Sequence, residues 1–267
     1  MQIIFLVFLF ILGACFGSFL CCQARRMQYR SSHKNAAKLS KRSFCPHCKA
    51  KLSWYDNIPI VSWLLLRGKC RKCHHKIGLA EILSEVLFAL AFLGLGTTVD
   101  VLDTPILGWA SFIVLIIFAL IIGFLAIYDG LYGELPTKFL VIAIVVAFVY
   151  LILKEVAFLT LHPFCPELIS KPLLSVLIFG GLYLILYLIS KGKWVGDGDW
   201  LLATALAIVL FEPWLTLVAL CLANVLACLV MAPFMRGKKS HQIYFGPFMV
   251  IAFIITISLS QFLLNMI

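Results

Sequence analysis

Two acidic residues at the ends of apolar segments are the residues of this sequence best suited to chemistry. Asp129 follows a long apolar stretch, and Asp199 ends the run Gly196-Asp197-Gly198-Asp199 just before another. A carboxylate near hydrocarbon is costly and usually marks a function. Two carboxyl groups that share one proton can activate a water molecule and polarise a carbonyl group. The pattern therefore predicts a two-aspartate hydrolytic site, if both residues lie on one side of a membrane.

The same residues allow simpler interpretations. Asp129 and Asp199 could face water at helix ends, as many loop acids do, and spacing alone does not separate Asp197 from Asp199. A helix dipole favours an anion at the N-terminus and disfavours it at the C-terminus. Because Asp199 begins its apolar segment and Asp129 ends one, we expect Asp199 to be ionised and Asp129 to be protonated.

Four cysteines form a second group with chemical potential. They are arranged as two C-x-x-C pairs with 21 residues between them: Cys45, Cys48, Cys70 and Cys73. Four thiolates at this spacing are typical of a tetrahedral structural zinc site, whereas disulfides are the weaker interpretation in a reducing cytoplasm. Such a closed shell leaves no position for a reacting water. The intervening segment 54–63 is aromatic and amphipathic, so it either lies at the membrane interface or forms the small core of the zinc module.

The composition indicates what must position these residues. Of 267 residues, 63% are hydrophobic and only 13% are charged, which indicates an all-α, polytopic membrane protein. We expect a first span at 1–22, a cytoplasmic zinc loop at 23–78 and a helical protease bundle at 79–267. About eight transmembrane helices are predicted, of which the sixth is the shortest: 2–22, 79–98, 106–128, 138–154, 173–190, 200–211, 214–232 and 246–266.

The basic residues predict the orientation of these spans. The chain carries a net charge of +10, and 20 of its 22 Lys and Arg residues lie in 23–78 or near 129–138, 191–199 and 236–244. Cytoplasmic loops are rich in Lys and Arg, so these four regions are expected in the cytoplasm, with both termini outside. Asp129 and Asp199 then lie at the same membrane face. Without a basic-aromatic binding module, the charge does not indicate nucleic-acid binding.

Two glutamates follow the cysteine loop. Glu81 and Glu85 are four residues apart and therefore share a helix face. They could contact a basic peptide or the cysteine loop, or lie near the membrane surface. Arg25 is expected to serve topology and to contact lipid headgroups.

Several of these motifs together resemble the type IV prepilin peptidases, bacterial aspartic proteases of the GxGD class. The resemblance rests on the opening motif 17–20, the cysteine loop 45–73, Glu81, Asp129 before Leu135-Pro136, the run from Gly196 to Asp199, and the last-span motif 245–248. It selects Asp199 over Asp197 and identifies Asp129 and Asp199 as the catalytic pair, with Gly196, Gly198 and Pro136 as supporting motif residues.

The resemblance implies removal of a short basic leader from pilin-like precursors at the cytoplasmic face of the bacterial inner membrane. It also implies N-methylation of the new N-terminus with S-adenosylmethionine in many members. Thr137, Leu201 and Cys21 depart from the family pattern, where Asp, Lys and Asn are usual. No glycine-rich methyl-donor motif is found in 23–78.

Two other classes of function compete with this interpretation. A multi-span transporter or scaffold with a cytoplasmic zinc module would account for the spans and cysteines, but transporters place charges near mid-membrane at broken helices. The central parts of the predicted spans carry almost no charge. A dedicated membrane methyltransferase that uses the cysteine loop is the third possibility.

Overall fold

The computed structural model describes residues 2–32, 43–45, 47–99, 105–161, 167–192, 195–235 and 244–265, and the regular secondary structure in these ranges is helical. This confirms the all-α fold. The helices are α1 (Gln2–Ser32), α2 (Val61–Leu65), α3 (Leu79–Leu95), α4 (Pro105–Tyr132), α5 (Thr137–Leu161), α6 (Glu167–Val176), α7 (Leu182–Ser190), α8 (Asp199–Leu210), α9 (Pro213–Met235), α10 (Gly246–Ser258) and α11 (Ser260–Leu264). A π-helical segment, Leu177–Gly181, joins α6 to α7.

Helices occur at all eight predicted spans, and six of them are long and apolar enough to cross a membrane. The other two, α8 and α10, have 12 and 13 residues. Phe211 ends α8 in the left-handed conformation, with φ of 42°, and Pro213 begins α9 two residues later. A helix of 12 residues rises only about 18 Å, less than the hydrocarbon thickness.

The chain forms two compact units, residues 1–93 and 94–267. The boundaries predicted from the sequence at 22 and 78 stay predictions. In the first unit, Gly13 and Gly17 of α1 lie directly against backbone carbonyls of α3, at Phe88 and Ser84, where an added Cβ would clash. Small residues at such positions allow two apolar helices to approach closely.

The second unit is built around the short helix α8. Most of its residues are buried, from Leu202 to Leu210, and it packs against α5, α6, the π-helical segment and α10. A helix that is apolar on all sides belongs inside a bundle. Because α8 is enclosed, the residue at its N-terminus, Asp199, has a fixed position.

Candidate active site and metal centre

The four predicted zinc ligands come together in the first unit. The Sγ atoms of Cys45, Cys48, Cys70 and Cys73 all lie within 4.8 Å of one another, and those of Cys45 and Cys73 are 3.9 Å apart. Zinc–sulfur bonds of about 2.3 Å in a tetrahedron require sulfur atoms about 3.8 Å apart. The donor set therefore fits a structural zinc ion after a small contraction.

The two C-x-x-C pairs have the same local structure. In the first, the Lys49 N–H donates to the Cys45 carbonyl, and an isolated β-bridge joins Phe44 to Lys51. In the second, the His74 N–H donates to the Cys70 carbonyl, and a bridge joins Lys69 to Lys76. Lys49 and His74 both have φ of 55°. Two equivalent turns thus present two thiols each to one centre.

The electrostatics of the four thiols also favour the binding of a metal cation. Backbone N–H groups of Cys73 and Lys72 lower the pKa of Cys70 to about 7. The N–H of His75 lowers the pKa of Cys73, but burial and the other three thiols raise it further, so the net pKa lies above its usual value. Four adjacent thiols cannot all ionise without a compensating charge, which a divalent metal supplies.

An ion pair joins two parts of the cysteine module, which comprises residues 43–78. Arg71 pairs with Asp56 at 2.9 Å and lies over the Tyr55 ring, 5.0 Å from its centroid. Trp54 and Val61, in contrast, are 79% and 49% exposed. The segment 54–63 therefore does not form a buried core, and its contact with lipid stays a prediction.

The two glutamates of α3 have partners within the first unit. Glu81 forms an ion pair with Arg25 at 2.7 Å. Glu85, only 7% exposed, accepts a hydrogen bond from the Ile60 N–H at 2.7 Å. Glu85 thus binds the cysteine module, one of the alternatives raised by the sequence. Arg25 has this side-chain partner in addition to any headgroup contact.

Asp129 lies in the last turn of α4 and is 5% exposed. Its Oδ2 atom accepts a hydrogen bond from the Gly246 N–H, at 3.0 Å, where α10 begins. A Cβ at residue 246 would lie 2.8 Å from the same oxygen, so only glycine leaves room for this contact.

Asp199 lies in the first turn of α8 and is 9% exposed. Its Oδ2 atom accepts the Gly196 N–H at 2.9 Å, which closes the glycine turn on the carboxylate. Asp197 is exposed instead. Burial in the bundle therefore favours Asp199 over its rival, in agreement with the family resemblance.

Three chain segments converge around the two aspartates. A Cβ at Gly198 would lie 2.6 Å from the Leu135 side chain, which precedes Pro136 and α5. Tyr244 packs against Gly133, whose φ is 69°. The charge of Asp199 acts on Asp129. The structure thus brings Asp129, Asp199 and their motif glycines to one end of the second unit.

The helix dipoles do not distinguish the charge states of the two carboxyl groups. Asp129 is at the C-terminal end of α4, as predicted, but it also receives the first N–H of α10. Asp129 therefore faces the N-terminus of α10, and Asp199 lies in the first turn of α8, so each carboxyl group is near a helix end that stabilises an anion. That the two carboxyl groups share one proton, and that Asp129 is the protonated one, stay predictions.

Sequence reasoning did not assign Gly246, which holds Asp129, or Tyr183, a buried residue of α7 whose ring contacts Phe245, to the neighbourhood of the site. Gly246 belonged to the recognised motif 245–248, and a glycine before Pro247 indicated a helix start, but its partner is 117 residues away. Tyr183 lies in an apolar stretch and carries no local signal.

Comparisons with known proteins agree with the resemblance. Residues 11–99 match a family model described as Bacterial Peptidase A24 N-terminal domain. A prepilin leader peptidase/N-methyltransferase of Aeromonas salmonicida is 30% identical over 220 residues, covering 79% of this chain and 69% of that protein. A protein of the same description from Vibrio cholerae is 36% identical over 124 residues, 45% of this chain and 49% of that protein.

A third relative of that description, from Myxococcus xanthus, is 44% identical over 89 residues, 33% of this chain and 25% of that protein. The chain thus spans half or less of the length of the Vibrio and Myxococcus relatives that it matches. No solved structure matches.

Proposed function

Because the chain belongs to the prepilin leader peptidase/N-methyltransferase family, we propose that it is a membrane aspartic endopeptidase of the GxGD class. Its substrates are type IV prepilin-like precursors, from which it removes the short basic leader at the cytoplasmic face of the inner membrane. Six apolar helices and the relatives indicate a multi-pass inner-membrane protein.

One observation carries the proposal: two buried aspartates from distant helices lie at the same end of one bundle, each fixed by a backbone N–H. Neither Asp129 nor Asp199 forms an ion pair among the described residues. Buried carboxylates without cationic partners favour one shared proton, because two adjacent charges repel each other.

Hydrolysis by this pair needs only water and one shared proton. The ionised carboxylate takes a proton from water while the water oxygen bonds to the carbonyl carbon of the scissile peptide. The electron pair of the carbonyl bond moves to its oxygen, to which the protonated carboxyl donates a hydrogen bond. The carbon–nitrogen bond then breaks, the carbonyl bond re-forms, and the leaving nitrogen accepts the proton that the first carboxylate took from water, which returns the pair to one shared proton.

The cysteine module supports this activity structurally. Cys45, Cys48, Cys70 and Cys73 would hold zinc in a closed shell, which stabilises the fold of the module. The hydrolytic steps belong to the second unit.

The cytoplasmic orientation follows from the distribution of basic residues. Lys138 and Lys191 lie near the ends of α5 and α7 that adjoin the aspartates. Four other residues that support this orientation, Lys193, Arg236, Lys238 and Lys239, are outside the described residues.

The relatives' names include an N-methyltransferase activity. S-adenosylmethionine binding rests on those names alone. Mass measurement of the mature N-terminus in the experiment below reports whether a methyl group is added.

The test is to incubate the purified chain with a pilin-like precursor in lipid nanodiscs. Asp129→Asn and Asp199→Asn should each reduce cleavage at least about 10⁴-fold, because each removes one member of the proton-sharing pair. Asp197→Asn is the matched control, since Asp197 is exposed and two residues from Asp199. It should cleave within about threefold of the wild type. Normal cleavage by either Asp129→Asn or Asp199→Asn contradicts the proposal.

A further inference from the structure

Tyr183 is a buried tyrosine whose hydroxyl is unsatisfied. The residue is 3% exposed, and its Oη atom has no hydrogen-bond partner in the part of the chain that the structure describes. Buried polar groups nearly always have a partner, since burying one without a hydrogen bond destabilises the fold. An exception beside a candidate active site calls for a functional explanation.

The surroundings of Tyr183 place it at the aspartates. Asp199 and Asn224 are the polar side chains that act on its hydroxyl. The Nδ2 atom of Asn224 donates one of its two hydrogens to the Leu220 carbonyl at 2.8 Å, and its second hydrogen can be donated only to the Tyr183 oxygen atom, which leaves the Tyr183 O–H itself free to donate. The Tyr183 ring lies 5.7 Å from that of Phe245, the residue before Gly246, whose N–H holds Asp129.

A local irregularity of the helix sets the direction of this side chain. The π-helical segment Leu177–Gly181 ends immediately before α7. A π-turn inserts one extra residue, which rotates everything after it by about 100° relative to a regular helix. Tyr183 is the second residue after the insertion, so its direction depends on it. Such insertions occur often at functional sites.

The packing of this segment fixes the rotation. Gly180 lies directly against Thr204 of α8, where a Cβ would clash, and the Phe179 ring is 5.7 Å from that of Tyr183. The helix that carries Asp199 thus contacts the π-helical segment that orients Tyr183. The ring contact with Phe245 thus places Tyr183 beside the residue whose neighbour holds Asp129, and its hydroxyl lies within electrostatic range of Asp199.

We propose that the Tyr183 hydroxyl donates a hydrogen bond to the carbonyl oxygen of the scissile peptide as that oxygen gains charge. This inference rests on the proposed peptidase function. When water bonds to the carbonyl carbon and the carbonyl electron pair moves to oxygen, Tyr183 stabilises the negative charge and keeps its own proton. The hydroxyl breaks no hydrogen bond within the described residues to do so, which makes it a preorganised donor.

The first test compares Tyr183→Phe, which removes only the hydroxyl, with Tyr150→Phe. Tyr150 is also buried, but it lies in the middle of α5. Tyr183→Phe should lower kcat about 100-fold, as loss of one oxyanion donor does, with KM changed less than about threefold. Tyr150→Phe should keep kcat within about threefold. Equal kcat values for the two variants overturn the proposal.

The pH profile separates contact with the substrate from an effect through Asp199. If Tyr183 binds only the substrate oxygen, the acidic limb of the kcat profile keeps its position in Tyr183→Phe. If the limb moves, the hydroxyl acts on the carboxyl pair, and the proposed contact is wrong.

A second substitution tests the same contact without removing the hydroxyl. Difluorotyrosine at position 183 keeps the hydroxyl and nearly the same shape, so a folding defect is not expected. Its hydroxyl ionises at lower pH than that of tyrosine. The alkaline loss of kcat should then begin at lower pH than in the wild type, because the ionised group cannot donate. An unchanged alkaline limb overturns the proposal.

The outcomes distinguish this inference from the proposed function. Inactive Asp129→Asn and Asp199→Asn variants together with a fully active Tyr183→Phe variant overturn the role of Tyr183 alone. Active aspartate variants overturn the peptidase function and this inference with it.

Discussion

The cysteine module and the aspartate site differ in the sequence separation between the residues that form them. Cys45 and Cys73 are 28 residues apart, and both lie on turns that their own backbone hydrogen bonds close. Asp129 and the N–H that holds it are 117 residues apart. The module is therefore defined by local sequence, and the aspartate site by the packing of whole helices.

The two regions also differ in the partners of their charged groups. In the first unit, Asp56 and Arg71 form an ion pair and Glu85 accepts a backbone N–H, although the buried Trp63 Nε1 and Glu81 Oε2 atoms have no partner among the described residues. In the second unit, each aspartate has one backbone donor, and the neighbouring Tyr183 hydroxyl has none among the described residues. Saturated groups stabilise a structure, whereas unsaturated ones remain available to a substrate.

The largest expected effect tests the local character of the cysteine module. Purified wild-type protein should hold about one zinc ion per chain. Cys70→Ser should lose most of it, because removing one of the four thiolates strongly weakens zinc binding. Plasma mass spectrometry of the metal content measures this. Cys221→Ser is the control, since Cys221 is exposed on α9 and should leave the zinc content unchanged.

A wild type without zinc, or a Cys70→Ser variant that retains it fully, would show that the four thiols do not form the metal site. The unfolding temperature of Cys70→Ser should be lower than that of the wild type, because the small module depends on the metal for stability.

The difference in sequence separation explains what could be predicted. The four cysteines are recognisable because their spacing alone defines a zinc ligand set. The spans and the all-α class follow from apolar length. The turn from Gly196 to Asp199 is also local, and so is the start of α5 after Pro136.

The remainder depends on contacts that no sequence window contains. The pairing of Asp129 with Gly246 requires α4 and α10 to be adjacent. The direction of Tyr183 requires a π-turn that apolar periodicity does not reveal. The sequence predicts the short length of α8, but not the left-handed conformation of Phe211 that ends it, which phenylalanine rarely adopts.

The next effect tests the long-range contact at Asp129. Gly246→Ala would place a Cβ 2.8 Å from the Asp129 Oδ2, so the carboxylate must move away from its N–H donor. A displacement of about 1 Å in a catalytic group lowers the rate about 100-fold. We therefore expect kcat of precursor cleavage to fall by about that factor, measured in nanodiscs.

Gly130→Ala is the matched control for this clash. Its Cβ would lie 3.4 Å from Pro247, an ordinary contact, although Gly130 is adjacent to Asp129. Its kcat should stay within about threefold of the wild type. If Gly246→Ala were equally active, the Gly246 N–H would have no part in positioning Asp129.

The smallest effect concerns the hydrogen bond that fixes the aromatic segment of the cysteine module. Ile60 has φ of 62°, an unfavourable conformation for a β-branched residue, and its N–H donates to the buried Glu85. Glu85→Ala removes the acceptor and should lower the free energy of local opening by about 1–3 kcal/mol. Amide exchange at Ile60, measured by mass spectrometry, should then be about 5- to 150-fold faster.

Glu134→Ala is the control for the loss of a carboxylate, because Glu134 is exposed. It should leave exchange at Ile60 unchanged. Glu85→Gln keeps a side-chain carbonyl that can accept the same N–H, so its effect should be smaller than that of Glu85→Ala. Unchanged exchange in Glu85→Ala would mean that turn geometry alone holds Ile60. The module would then depend even more strictly on local sequence than its cysteine turns indicate.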